Sequence, residues 1–232
     1  MKKLSIIVLV FSIAFAIFIM GPPLLGIEFG PYPLMQIADV LDLFTPLVLL
    51  PLYWLLFRLD GKPATISENL LFMIFIAFWA LGQGMRLSAN SIGNIMEGME
   101  STDIFKLTHF YDETLSHYLW HFGVISLSGL LIYRQWRNPI TTEKPAKVLL
   151  VLAGIFYGFT FFAMVIEGVT VPMSLPLGVL LLAVTFILGR KRFNEEPIIF
   201  MFFIAYLIAT ILFAVWGIWQ GGFPEFTEVG II

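Results

Sequence analysis

The chain has no cysteine and little charge. Without cysteine there is no disulfide framework, no thiolate metal site and no Cys nucleophile. Only 12% of the 232 residues are Asp, Glu, Lys or Arg, against 59% hydrophobic. A soluble globular domain carries about twice that charge, so the composition belongs to the membrane class. The net charge of −3 is mild, and no cluster of basic residues suits nucleic acid. Histidine is scarce too: all three lie between Leu107 and Trp136. Haem held by two histidines from opposing helices is therefore disfavoured within one chain.

What is present is a succession of apolar runs. They predict an all-α, seven-transmembrane-helix bundle forming a single domain, with helices over 4–20, 34–57, 68–89, 110–133, 148–169, 173–188 and 198–219. The first run is longer than a signal-peptide core of roughly 7–15 residues and no A-x-A-like site follows it, so an uncleaved first helix is expected. Pro46 and Pro51 should kink the second helix. Gly82 and Gly84 in the third, and Gly154 and Gly158 in the fifth, suit close backbone approach. The 91–106 segment reads as an acidic loop with one amphipathic turn at Ile92, Ile95, Met96 and Met99. The 24 Phe and 6 Trp are expected mainly on the lipid face and in interface belts. Every Lys and Arg except Arg86 and Lys106 falls on one side of this arrangement, which puts the N-terminus in the cytoplasm and the C-terminus outside a cell membrane.

A hydrocarbon core of about 30 Å takes about 20 helical residues. Counted from the basic anchors, Asp39, Asp42, Gln83, Arg86, Asp112, Glu113, His117 and Glu167 all fall near the outer boundary, with His121 deeper. No comparable set is expected in the cytoplasmic half. Polar groups in a membrane helix are costly and tend to have a partner or a task. His109, Glu113, His117 and His121 form an i, i+4 ladder along one stripe. Neighbours such as His117 and His121 can chelate one ion, whereas His109 lies roughly 12 Å from His117 along the axis. A Zn²⁺ site would thus take His117 and His121 with Glu167 or Asp42 as a further ligand. An open position would hold water, and Asp112 or Glu113 would take its proton. Glu113, Glu167 and one of Asp39 or Asp42 would share the same outward-opening pocket. Arg86 is expected beside Asp112, Glu113 or Glu167, because an unpaired guanidinium at that depth is costly. Each group also has a plainer reading. Asp112 and Glu113 would face interfacial water, Arg86 would snorkel or neutralise one acid in a structural pair, Gln83 and Asn90 would pack helices, and the histidines would be hydrogen-bonded packing residues.

The Asp112-Glu113 pair with His117-Tyr118-Leu119-Trp120-His121 resembles segments of the alkaline ceramidases, of the seven-helix superfamily that also holds the adiponectin and progestin receptors. That resemblance implies a zinc ion activating water for amide hydrolysis, with His117 and His121 as ligands and Asp112 orienting the water. In that superfamily the H-x-x-x-H pair lies on the last helix and a third histidine lies on an early one. Here all of these residues share helix 4. Two function classes follow. One is a zinc-dependent hydrolase acting on a lipid or amphiphile. The other is a non-enzymatic transporter or sensor whose polar cluster binds an ion, a proton or a small-molecule ligand. A structural subunit ordered by the same cluster is the remaining reading.

Overall fold

The computed structural model describes residues 2–30, 32–96, 98–140 and 145–231. It is all-helical apart from one short hairpin. The helices are α1 (Lys2–Met20), α2 (Ile37–Phe57), α3 (Ile66–Ile95), α4 (Asp103–Arg137), α5 (Lys147–Glu167), α6 (Val171–Gly189) and α7 (Pro197–Gln220). All seven are long and apolar enough to cross a membrane. Between α1 and α2, β1 (Glu28–Phe29) pairs antiparallel with β2 (Tyr32–Gln36). The helices run up and down, so the bundle has two ends. One carries the loops between α2 and α3, α4 and α5, and α6 and α7, and is here called the basic end. The other is the histidine end.

Local chemistry explains most boundaries. Thr65 caps α3: its hydroxyl accepts from Glu68 N at 3.2 Å, and its own N–H donates to Glu68 Oε2 at 2.7 Å. Thr102 caps α4 by accepting from Phe105 N. The acidic loop expected over 91–106 is shorter than its sequence suggests. α3 runs on to Ile95 and α4 begins at Asp103. The Ser91 hydroxyl bonds the Leu87 carbonyl one turn back, which lets the helix continue through a polar stretch. α2 continues through both Pro46 and Pro51.

Glycine sets the helix contacts. α3 crosses α4 where Gly82 faces Trp120 and Gly123 faces Trp79. A Cβ on Gly82 would stand 2.6 Å from Trp120 N, and one on Gly123 2.8 Å from Trp79 N. Gly154 and Gly158 bring α5 onto α7 at Ile204 and Ala205, as the GxxxG spacing predicts. Gly84, by contrast, faces open space. Many aromatics form the core rather than the outer face. Phe11, Phe15, Tyr53, Trp79, Tyr157 and Phe202 are fully buried, and Tyr157 stacks on Phe15 at 4.4 Å between ring centres. The Tyr157 hydroxyl lies 2.9 Å from that of Tyr53 and 2.8 Å from Ser128 Oγ, so these phenols satisfy one another in the apolar interior.

The basic end corrects the expectation that no comparable polar set lies in this half. Arg134 of α4 is 2% exposed and sits in a cage of acceptors. Its guanidinium donates to the Phe57 carbonyl at 2.6 Å, Glu68 Oε2 at 3.0 Å, Asp60 Oδ1 at 2.8 Å and the Lys62 carbonyl at 2.7 Å. The neighbouring Gln135 accepts from Ile199 N at 2.8 Å, tying α4 to α7. Arg134 looks like a boundary cation when read along the chain. Only the closure of the 58–65 turn over it makes it an internal one.

Candidate functional site: a chamber at the histidine end

α4 does not enter the bundle as a regular helix. Phe110–Leu115 forms a π-helical stretch, and Ser116 N–H reaches back five residues to the Tyr111 carbonyl. Such wide turns loosen the ordinary ladder and gather at functional sites. Two side chains take carbonyls four residues back. The Ser116 hydroxyl bonds that of Asp112, and His117 Nδ1 lies 2.8 Å from that of Glu113. The His117 and His121 rings stand 5.7 Å apart on the inner face, and the side chains are 7% and 0% exposed.

The partner of His121 comes from another helix. Its Nδ1 lies 2.5 Å from Thr170 Oγ1, which also accepts from the Ser174 hydroxyl at 3.1 Å. His121 Nε2 is buried with no partner among the described residues. The connection from α5 to α6 has to pass over both rings, and this is why Gly168 is glycine. A Cβ there would lie 2.6 Å from His121 Cε1 and 3.2 Å from His117 Cγ. Val169 follows with φ 50°, a left-handed conformation that a β-branched residue rarely adopts. That strained turn is held between Glu167 and Thr170. α5 therefore ends at Glu167, two residues before the expected Val169.

A second network joins α2 to α3. Arg86 pairs with Asp42, rather than with Asp112, Glu113 or the Glu167 with which it lines one cavity. The cause is adjacency: α2 packs against α3 and sets Asp42 across from Arg86. Gln83 Nε2 reaches Asp42 Oδ1 at 3.5 Å, and Trp79 Nε1 donates to Gln83 Oε1 at 3.2 Å. Asp39 is a helix cap, accepting from Gln36 N at 2.8 Å, and also accepts from Asn90 Nδ2 at 3.3 Å.

Between these networks lies a cavity of about 440 Å³. Its polar end is formed by Asp42, Arg86, His117 and Glu167. Its walls are apolar and strongly aromatic, with Trp120, Phe159, Phe162, Trp216 and Trp219 among them. The segment after α7 folds back over it. Phe226 packs on Trp216 and Phe162, its N–H donates to Glu167 Oε1 at 2.7 Å, and Trp216 Nε1 donates to the Pro224 carbonyl at 3.1 Å. Burial, and after it the charges of Glu167, Glu113 and Glu228, push the Glu225 carboxyl above the ordinary glutamate value.

Of the residues singled out from sequence, the structure brings Asp42, Arg86, His117 and Glu167 to one cavity. His121 stands behind His117 and does not line it. Gln83 supports Asp42. Asp112 and Glu113 are half-buried beside the π-helical stretch and outside the lining, although Glu113 Oε2 is 3.8 Å from His117 Nδ1. His109 is exposed and stacks on Phe105. Among the described residues, no three His, Asp and Glu side chains lie together as a metal ion would need. Asp42 is already engaged by Arg86, whereas His117 and His121, bonded through Nδ1, keep Nε2 without a partner among the described residues. The four-coordinate zinc shell expected from sequence is therefore not assembled among the described residues, which bring together two imidazoles without a third ligand beside them. Sequence reasoning missed Thr170 and Ser174, whose i, i+4 spacing beside Gly168 was the available signal. It also missed the apolar walls, which have no local signature. Comparison of the chain with protein-family models, curated proteins and solved structures finds no match.

Proposed function

We propose that this chain is a cell-membrane protein that binds an amphiphilic small molecule or lipid in the histidine-end chamber, as a sensor or transporter rather than as a hydrolase. One observation carries the reading: a cavity of about 440 Å³ with aromatic walls and a single polar end. That size and division suit a small-molecule site, which runs to roughly 300–1,000 Å³ with few, placed polar groups. The basic end supports binding over conduction, since Arg134 and its acceptors close the bundle there. The loop charges orient the chamber outward, with the N-terminus in the cytoplasm.

The test is saturable binding of 1-decanol to the full chain in lipid nanodiscs, counted by native mass spectrometry. One molecule per chain is expected in the wild type. Ala163→Phe, which fills the cavity from α5, should lose it while unfolding at a similar temperature. Equal binding by the filled variant would sink the reading. Stoichiometric zinc in protein purified without chelator, lost on His117→Ala, would restore the hydrolase. A cytoplasm-only reporter fused after Ile232 should be silent, and activity there would overturn the orientation.

A further inference from the structure

We infer that the chamber selects a monocationic amphiphile whose head is an N–H-donating ammonium, seated between Glu167 and His117. The inference rests on the chamber being a ligand site and names the ligand's chemistry.

The charge at the polar end is the first observation. Arg86 and Asp42 neutralise each other as an ion pair. Glu167 has no cationic partner among the described residues; its Oε1 accepts only the Phe226 N–H. The lining therefore carries one uncompensated carboxylate. An anionic head would be repelled there, and a single positive charge would complete the balance.

The second observation is the tautomer of His117. The Glu113 carbonyl can only accept, so Nδ1, 2.8 Å away, carries the proton. In the neutral ring Nε2 is then a bare lone pair. His117 is 7% exposed and lines the cavity, and its Nε2 bonds none of the described residues. It thus offers the head an acceptor. Trp120, Trp216 and Phe162 add π faces, which attract an organic cation and reject nothing in its alkyl tail.

The test compares one chain length with four heads in nanodiscs of zwitterionic lipid: decylammonium, decyltrimethylammonium, decyl sulfate and 1-decanol. Binding to Ala163→Phe is subtracted as partition into the bilayer. Decylammonium should bind about tenfold tighter than 1-decanol, with decyl sulfate weakest. Decyltrimethylammonium, lacking N–H, should fall between. In Glu167→Gln the ammonium-to-alcohol ratio should drop towards one. In His117→Ala the gap between the two ammonium heads should close. Thermal unfolding reports the fold of each variant. Sulfate binding as tightly as ammonium, or a preference that survives Glu167→Gln, would overturn the inference and leave the chamber standing. Failure of every decyl compound to saturate would remove the chamber reading itself.

Discussion

Arg134→Met offers the sharpest test of how the bundle is held. The substitution keeps most of the side-chain stem and removes the guanidinium. Four acceptors then lose the guanidinium at once: the carboxylates of Asp60 and Glu68, left with the Lys62 and Thr65 N–H groups alone, and the carbonyls of Phe57 and Lys62. Asp60 and Glu68 have side chains only 5% and 12% exposed, so water cannot replace the lost partner without opening the 58–65 turn. Breaking a buried ion pair from one side costs about 3–5 kcal/mol. The guanidinium also lies 4.6 Å over the Phe57 ring, a contact worth about 0.5–2 kcal/mol. On the soluble-domain scale for a chain of this size, the lower bound of 3 kcal/mol lowers the melting temperature by roughly 6–12 °C. Arg134→Lys should lie between, because a point ammonium cannot span four acceptors. Adding Asp60→Asn and Glu68→Gln to Arg134→Met should recover part of the loss. The two carbonyls would still be unsatisfied, at about 1–3 kcal/mol each. The assay is thermal unfolding in mild detergent, with Arg137→Met, at an exposed position one turn on, as control. A fall no larger than the Arg137 control's would refute the view of Arg134 as the internal counter-charge of this end.

Arg86→Met should cost less, about 1–3 kcal/mol, because its side chain is 24% exposed. Adding Asp42→Asn should recover most of it, and wild-type stability in the single variant would show that Arg86 only snorkels. Gly158→Leu should destabilise by at least about 1–3 kcal/mol, since its Cβ would press on the Ala205 backbone, whereas Gly84→Ala faces open space and should be neutral. Equal melting temperatures for the two would disprove the glycine-set contact between α5 and α7. The segment over the chamber should dock less firmly as pH rises. Glu225 holds its proton more tightly when docked than when free, so docking is undisturbed below the ordinary glutamate value and weakens as pH passes the raised one. Hydrogen exchange at Phe226 N–H, corrected for its intrinsic rate, should show that step in the wild type and a smaller one in Glu225→Gln; identical profiles would contradict it.

Composition and hydropathy alone determined the all-helical class, the seven helices long and apolar enough to cross a membrane, and most of their limits. α7 was expected over 198–219 and runs Pro197–Gln220. These are local quantities, because an apolar run and its caps act within one helix. Sequence also marked which polar groups sit at the histidine end, since depth along a helix is counted in residues. It did not determine which of them meet. Arg86 takes Asp42, and His121 takes Thr170. Those partnerships depend on the rotation of each helix and on which helices adjoin. A pattern of hydropathy leaves both open once two or more candidates share a depth. Arg134 was hidden for the same reason, as two of its four acceptors lie on a turn that folds back and the other two on α2 and α3. The chamber is the extreme case. It is a void between α1, α2, α3, α4, α5 and α7, closed over by the segment after α7. A void belongs to the packing of all these elements together and to no residue in any one of them.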